Sequence, residues 1–202
     1  MDNGKKFWDR FARLYAPIQE RSNRALYDRV ADLCAPYITE ETRVLELACG
    51  TGQLTLPLCR LAGYWEATDF SEKMLRELGR RCPDFVALSV EDATDLTYGD
   101  GSFQVVLIAN ALHIMPDPQK ALAEIRRVLS PGGLLLAPTF VYEGRINRAR
   151  MWLTVQLGFP SFYKWRLREF RAVLEQAGFR VVRQELIPGD PLPEAFLAVQ
   201  KP

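Results

Sequence analysis

The feature that most constrains this chain is an alternation. Short, almost continuous apolar runs, VLEL, FVALSV, FQVVLIA and GLLLAPTF, are separated by amphipathic stretches, LTLPLCRLA, SEKMLRELGRR and PQKALAEIRRVL. The runs are too uniformly apolar for strands with one wet face, so they belong in a sheet covered on both sides. Parallel strands need a crossover, and the amphipathic stretches supply it as helices. The pattern predicts an α/β fold, an open and doubly wound sheet. Ser71 is expected to cap the helix that holds Met74 and Leu75, and GDGS at Gly99 to Ser102 to turn into a strand. SPGG at Ser130 to Gly133 is expected to stop one helix and start another. The last two runs, FRVVRQELI and EAFLAVQK, are joined by PGDPLP. That linker is too short for a crossover helix, so the final pair should be antiparallel.

Residues 5 to 38 read as helical, with Phe7, Phe11, Leu14 and Tyr15 at helical spacing, an interruption at Pro17, and Leu26, Val30, Leu33 and Tyr37 resuming. The expected organisation is a helical cap over 1–40 and a main domain over 41–202. At 202 residues and 48% hydrophobic, the chain can bury one substantial core. A net charge of +1 gives no general pull toward nucleic acid or membranes. Cys34, Cys49, Cys59 and Cys82 form no CxxC pair and no zinc spacing with His113, the one histidine. No metal is therefore expected, and the thiols suit a reducing compartment. The opening MDNGKKFWDR lacks an apolar core, and the run VVLIANALHIM is too short for a bilayer. A cytoplasmic protein is expected.

Between the first strand and its helix lies VLELACGTGQ. In an open α/β sheet ligands bind beyond the carboxyl ends of the strands, where the strand order reverses. Gly50 and Gly52 allow backbone approach there, and the amides opening the helix from about Gln53 suit an anionic group. Asp69 in EATDFS stands at the next strand end, placed to accept two ribose hydroxyls. Asp92 in VEDATDL follows the third strand as an acceptor for an exocyclic amine, and IANALHIM closes the crevice after the fourth. The ligand predicted is an adenosine with a short charged tail. Each acid alone has an ordinary structural reading; their order along successive strand ends is what carries the expectation.

The segments ELACGTG, TDFSEKML, VEDATDLTYGDGSFQVV, ANALHIMPDP and LSPGGLLL together resemble the class I S-adenosylmethionine-dependent methyltransferases of the UbiE-like, type-11 kind. The resemblance implies a Rossmann-like, seven-stranded sheet in the order 3-2-1-4-5-7-6 with strand 7 antiparallel. It also implies S-adenosyl-L-methionine as cofactor and S-adenosyl-L-homocysteine as product. By the same resemblance Glu46 organises the loop beneath the methionine moiety, and Ala48, Gly50 and Gly52 line it. Asp69 would bind the ribose, Phe70 would lie against the adenine with Met74 in the cofactor-lining set, and Asp92 and Ala93 would meet the adenine edge. Asn110 and Ala111 would offer backbone to the amino-acid end, with Tyr15 from the cap touching the cofactor carboxylate. Ala48 stands where the family often has glycine.

Two competing readings are a non-catalytic S-adenosylmethionine-binding regulator and an NAD-dependent oxidoreductase. The second lacks its third glycine, because position 55 is Thr55. Methyl transfer from an activated sulfonium needs chiefly positioning and exclusion of water, with a general base only if the acceptor loses a proton early. His113 is the candidate base; alternatively it is a wall residue whose imidazole bonds a backbone carbonyl. Acceptor contacts are expected from an irregular segment, 142–165, rich in Tyr142, Met151, Trp152, Leu153, Phe159, Phe162, Tyr163 and Trp165 beside Arg145, Arg148, Arg150 and Lys164. It reads as a lid over a small apolar or aromatic acceptor, with the arginines toward an anionic group or a membrane surface, or as a fixed helix packed on the sheet. No nucleic acid is expected as partner, and the oligomeric state is left open.

Overall fold

The computed structural model of the chain describes residues 9, 23–144, 146–156 and 162–202. Tyr15 and all of the cap before Asn23 except Asp9 fall outside these, so the expectations placed on them do too. Within the cap, α1 spans Arg24–Cys34 and buries Leu26, Val30, Leu33 and Cys34. A 3-10 turn, Ala35–Tyr37, leads to β1, Arg43–Leu47. There follow α2 (Thr55–Leu58), β2 (Tyr64–Asp69), α3 (Glu72–Gly79), β3 (Ala87–Val90), β4 (Phe103–Ile108) and α4 (Pro118–Val128). The chain closes with β5 (Leu129–Leu136), β6 (Thr139–Phe140), α5 (Arg148–Gln156), α6 (Leu167–Gln176), β7 (Arg180–Ile187) and β8 (Glu194–Gln200). Among the described residues no helix is long and apolar enough to cross a membrane.

β1 to β5 are parallel in the order β3-β2-β1-β4-β5, and β8 runs antiparallel between β5 and β7. This is the expected doubly wound sheet with one strand more than the seven implied. The extra strand has a simple origin. β5 pairs Leu134 with Gln200 and Leu136 with Ala198, while β6 pairs Thr139 with Ala195 and Phe140 with Glu194, in one unbroken register along β8. β6 is therefore β5 resumed after Ala137 and Pro138. Pro138 has no N–H to give the ladder, yet Ala137 N–H still donates to Leu197 O at 2.9 Å.

The SPGG segment departs from expectation more plainly. It starts no helix: α4 passes into β5 at Leu129, and Ser130 to Gly133 lie inside the strand. Gly132 takes φ +75°, and its N–H donates to Lys201 O at 3.1 Å, so the glycines kink a strand that stays hydrogen-bonded. Ser71 caps α3, its Oγ accepting from Met74 N–H at 3.3 Å.

Strand alternation sorts the core into two halves. One holds Val44, Ala67, Val105, Leu107, Phe196 and Ala198 beneath α1. The other holds Leu45, Leu47, Val106, Ile108, Leu197 and Val199 beneath α4 and α6. Glu46 alternates with Val44, and Glu194 with Phe196, so both carboxyls project to the α1 side at the carboxyl edge of the parallel strands.

Candidate functional site

The loop after β1 is strained in a purposeful way. Ala48, Gly50 and Gly52 all take positive φ, +53°, +57° and +90°. Glycine accepts this freely, whereas Ala48 gives up about 1–2 kcal/mol in the left-handed region. A Cβ built on Gly52 would lie 2.4 Å from Leu78 Cδ1, so the backbone there passes directly over α3. α2 begins at Thr55 rather than Gln53 and is one turn long, so the cradle rests on the loop's own amides more than on a helix end.

Asp69 is what holds that loop. Its Oδ2 accepts from Gly50 N–H at 3.0 Å and its Oδ1 from Ser71 N–H at 2.9 Å. The side chain is buried, and burial pushes its carboxyl up to about 6 against the pull of the two amides. It is therefore mainly ionised at neutral pH. Two of the roughly four acceptor positions of a carboxylate are taken by backbone, which leaves one on each oxygen. Asp9 adds an acid nearby: Ser71 Oγ donates to Asp9 Oδ1 at 2.5 Å.

Glu46 sits one strand over, 2% exposed, with Oε2 accepting from Thr55 Oγ1 at 2.6 Å and Trp65 Nε1 at 3.0 Å. Burial raises it to about 7. Its role is to tie β1, β2 and α2 together beneath the loop. Phe70 is half-buried beside Asp69, and Met74 is buried on α3.

Asp92 is exposed and already engaged: Oδ1 accepts from Thr94 N–H and Thr94 Oγ1, both at 2.8 Å. It shapes its own turn, beside a half-buried Ala93.

On the far side of the crevice Asn110 takes φ +52°, a conformation asparagine tolerates better than most residues, and its N–H donates to Pro138 O at 2.8 Å. Ala111 is buried behind it. The Asn110 side chain donates to Glu194 Oε1 at 3.1 Å. Glu194 has no exposed surface, and burial pushes its carboxyl up to about 8. Among the described residues Asn110 Oδ1 and Glu194 Oε2 are buried without a partner. Each such atom costs about 1–3 kcal/mol if nothing satisfies it.

His113 meets neither expectation fully. Nδ1 lies 3.0 Å from Thr139 Oγ1, a side chain rather than a backbone carbonyl, and burial lowers the imidazole to about 4. It is neutral at physiological pH. Its own carbonyl accepts from Phe162 N–H at 3.1 Å and Tyr163 N–H at 3.0 Å. Thus the end of the 142–165 segment is fastened to the β4 wall, and Tyr163, Trp165 and Phe170 stack in series at 4.9 and 5.4 Å. Trp152 and Phe162 remain 65% and 60% exposed. Glu143, Gly144 and Asn147 border a cavity of about 860 Å³ whose opposite wall is the turn between β7 and β8. Phe159 and Arg145, and the side chains of Arg148 and Leu153, fall outside what the structure describes. No cluster of three or more metal-ligating side chains occurs among the described residues.

Sequence reasoning missed Thr55, Trp65, Thr139 and Glu194. Only Glu194 left a visible signal, a charge opening the otherwise apolar run EAFLAVQ.

A family model described as a methyltransferase domain matches residues 45–137. The chain is 33% identical over 163 residues to an uncharacterised methyltransferase of Synechocystis, covering 77% of this chain and 74% of that one. It is 41% identical over 115 residues to a demethylmenaquinone methyltransferase of Clavibacter sepedonicus, covering 55% of this chain and 46% of that protein. The chain thus spans about half the length of the demethylmenaquinone methyltransferases it matches. In fold it superposes on an S-adenosylmethionine-dependent methyltransferase of Thermotoga maritima with TM-score 0.79, 20% identity and 98% and 99% coverage of the two chains.

Proposed function

The chain belongs to the class I S-adenosylmethionine-dependent methyltransferases, and from that premise we propose that it transfers a methyl group by in-line displacement to a small apolar or aromatic acceptor. S-adenosylmethionine is the cofactor; when bound it supplies a methyl group activated by the sulfonium, and S-adenosylhomocysteine is left. The residues present fit this group. Asp69 carries the reading: a buried carboxylate at the end of β2, pinned by the amides of Gly50 and Ser71, keeps one acceptor position on each oxygen for a pair of vicinal hydroxyls. Gly50 and Gly52 keep the loop bare where the methionine portion would lie, with Glu46 bracing it from below. Phe70 and Met74 would bound the adenine, and Asp92 with Ala93 its edge. The backbone of Asn110 and Ala111 would border the amino-acid end.

What the chain contributes to the step is alignment and dryness rather than a strong base. His113, held near 4, is a poor proton acceptor at neutrality and serves as a neutral hydrogen-bonding wall. The 142–165 segment would complete that wall on the acceptor side, anchored at Tyr163 and presenting Trp152 and Phe162. An apolar acceptor agrees with the relatives named as demethylmenaquinone methyltransferases.

The test is transfer of a labelled methyl group from S-adenosylmethionine to a panel of phenols, thiols and reduced quinones. Turnover of at least one apolar aromatic member, lost on Asp69→Ala, is the expected result. Tight cofactor binding with no turnover across the panel would favour the non-catalytic regulator instead.

A further inference from the structure

The sheet ends in two unlike edges. β3 offers four residues, whereas β7 offers eight, Arg180–Ile187, and among the described residues it pairs with β8 alone. An open strand presents a row of backbone N–H and C=O groups that another strand can take up. On this one Val182 is 49% and Leu186 39% exposed, with Gln184 exposed between them. Leu186 also stands at the rim of the cavity bordered by Asn147 and the turn after β7.

The order of side chains along β7 narrows what fits it. Residues directly opposite in an antiparallel pair share one face of the sheet. Two copies of one strand related by a twofold axis must therefore centre on a residue. Centred on Arg183 or on Glu185, they bring like charges together. Centred on Gln184, they set Arg183 of each copy opposite Glu185 of the other, and Val182 of each opposite Leu186 of the other. Glu185 already accepts from Arg29 of α1 on Oε1 and from Arg183 on Oε2 at 3.1 Å, and each oxygen keeps a further acceptor position. On the α6 side, the cavity next to Gln184 is lined by Arg166, Arg168 and Arg171, and Glu143, Glu169 and Glu175 match them in number. Charges and a bulge, here between Val181 and Arg183, commonly blunt an edge. A blunting charge repels a second copy of its own strand, whereas this pair attracts one.

We propose that β7 is the contact edge of a homodimer, in which two copies pair antiparallel about Gln184 and continue one sheet across both chains. Val182 of one copy then packs on Leu186 at the cavity rim of the other, so the second chain completes that rim.

The experiment is sedimentation equilibrium of the full chain over a concentration series, with each variant checked for folding by circular dichroism. The wild type should sediment as a dimer. Arg183→Glu sets glutamates opposite glutamates, and Glu185→Arg sets arginines opposite arginines. Each should weaken self-association at least about tenfold. An equimolar mixture of the two variants has opposite charges at every facing position, and should dimerise within about threefold of the wild type. If Glu185→Arg does not fold beside Arg29, Leu186→Lys, which sets an ammonium opposite Val182, should weaken association about tenfold in its place. A wild type that is monomeric throughout the series overturns the proposal, and so does a dimer unmoved by Arg183→Glu. Folded charge variants that stay monomeric when mixed overturn the pairing about Gln184.

Discussion

Asp69 and Glu194 are both buried acids at the carboxyl edge of one sheet, and they are treated in opposite ways. Asp69 ends β2 against a loop whose amides face it, and two backbone N–H groups hold it near 6 in spite of burial. Glu194 opens β8 with no backbone donor at its carboxyl among the described residues. A single side-chain amide meets it, and burial takes it to about 8. The first keeps its charge at neutral pH; burial holds the second protonated. A carboxyl keeps its charge in a dry site only where several donors converge on it, so the difference follows from what surrounds each one. The surroundings of Asp69 are largely backbone, which any sequence with suitable glycines can form. The surroundings of Glu194 are side chains, where one protein comes to differ from another.

Three changes probe that contrast. The largest effect is expected from Asp69→Ala, which removes the charged acceptor and frees the Gly50 amide. Affinity for S-adenosylmethionine should fall by roughly 100-fold, the scale of a charged hydrogen bond lost in a buried site, measured by calorimetry. A fall of less than about threefold would detach Asp69 from the cofactor.

Next is Gly52→Ala, whose methyl would meet Leu78 Cδ1 at 2.4 Å on a backbone at φ +90°. A loss of about 1–3 kcal/mol of stability is expected in thermal or denaturant unfolding, with weaker cofactor binding.

The smallest effect concerns Glu194→Gln and pH. The folded carboxyl sits near 8 against an ordinary 4.5. The native state therefore holds a proton that the unfolded chain has released. Its contribution to stability is whole below about 4.5 and is lost as pH rises through about 8. Glutamine carries no such proton, so the variant's melting temperature should gain on the wild type as pH rises from 5 to 8, and level off above. A constant difference across that range would mean that Glu194 is not protonated in the folded protein.

The sheet was legible where strands buried on both faces leave continuous apolar runs, as in β1, β4 and β8. β2, as deeply buried, carries Glu66, Thr68 and Asp69 and leaves no such run. The break at Pro138 was not legible, since proline reads as an ending while the register along β8 carries through it. SPGG misled for a related reason: glycines that usually punctuate helices here shape a bulge inside β5. In the site, the Asp69 position could be read because it depends on order along the chain. The Glu46 supports, Thr55 and Trp65, could not, because they meet it only through packing of β1 against β2 and α2. His113 was visible as a lone histidine at a rim, but its neutral state depends on burial beside Thr139 and Phe140, elements 26 and 27 residues further along the chain. Asp92 carried its own warning, an acid two residues before a threonine, the pattern of a self-bonded turn.

The central claim is that the β1 loop, Asp69 and the β4 wall form an S-adenosylmethionine site. Parallel calorimetric titrations of the full chain with S-adenosylmethionine, S-adenosylhomocysteine and NAD test it most directly. Saturable binding of the first two, abolished by Asp69→Ala, and none of NAD is the predicted result. Binding of NAD alone, or of none of the three by a folded wild-type protein, would contradict it.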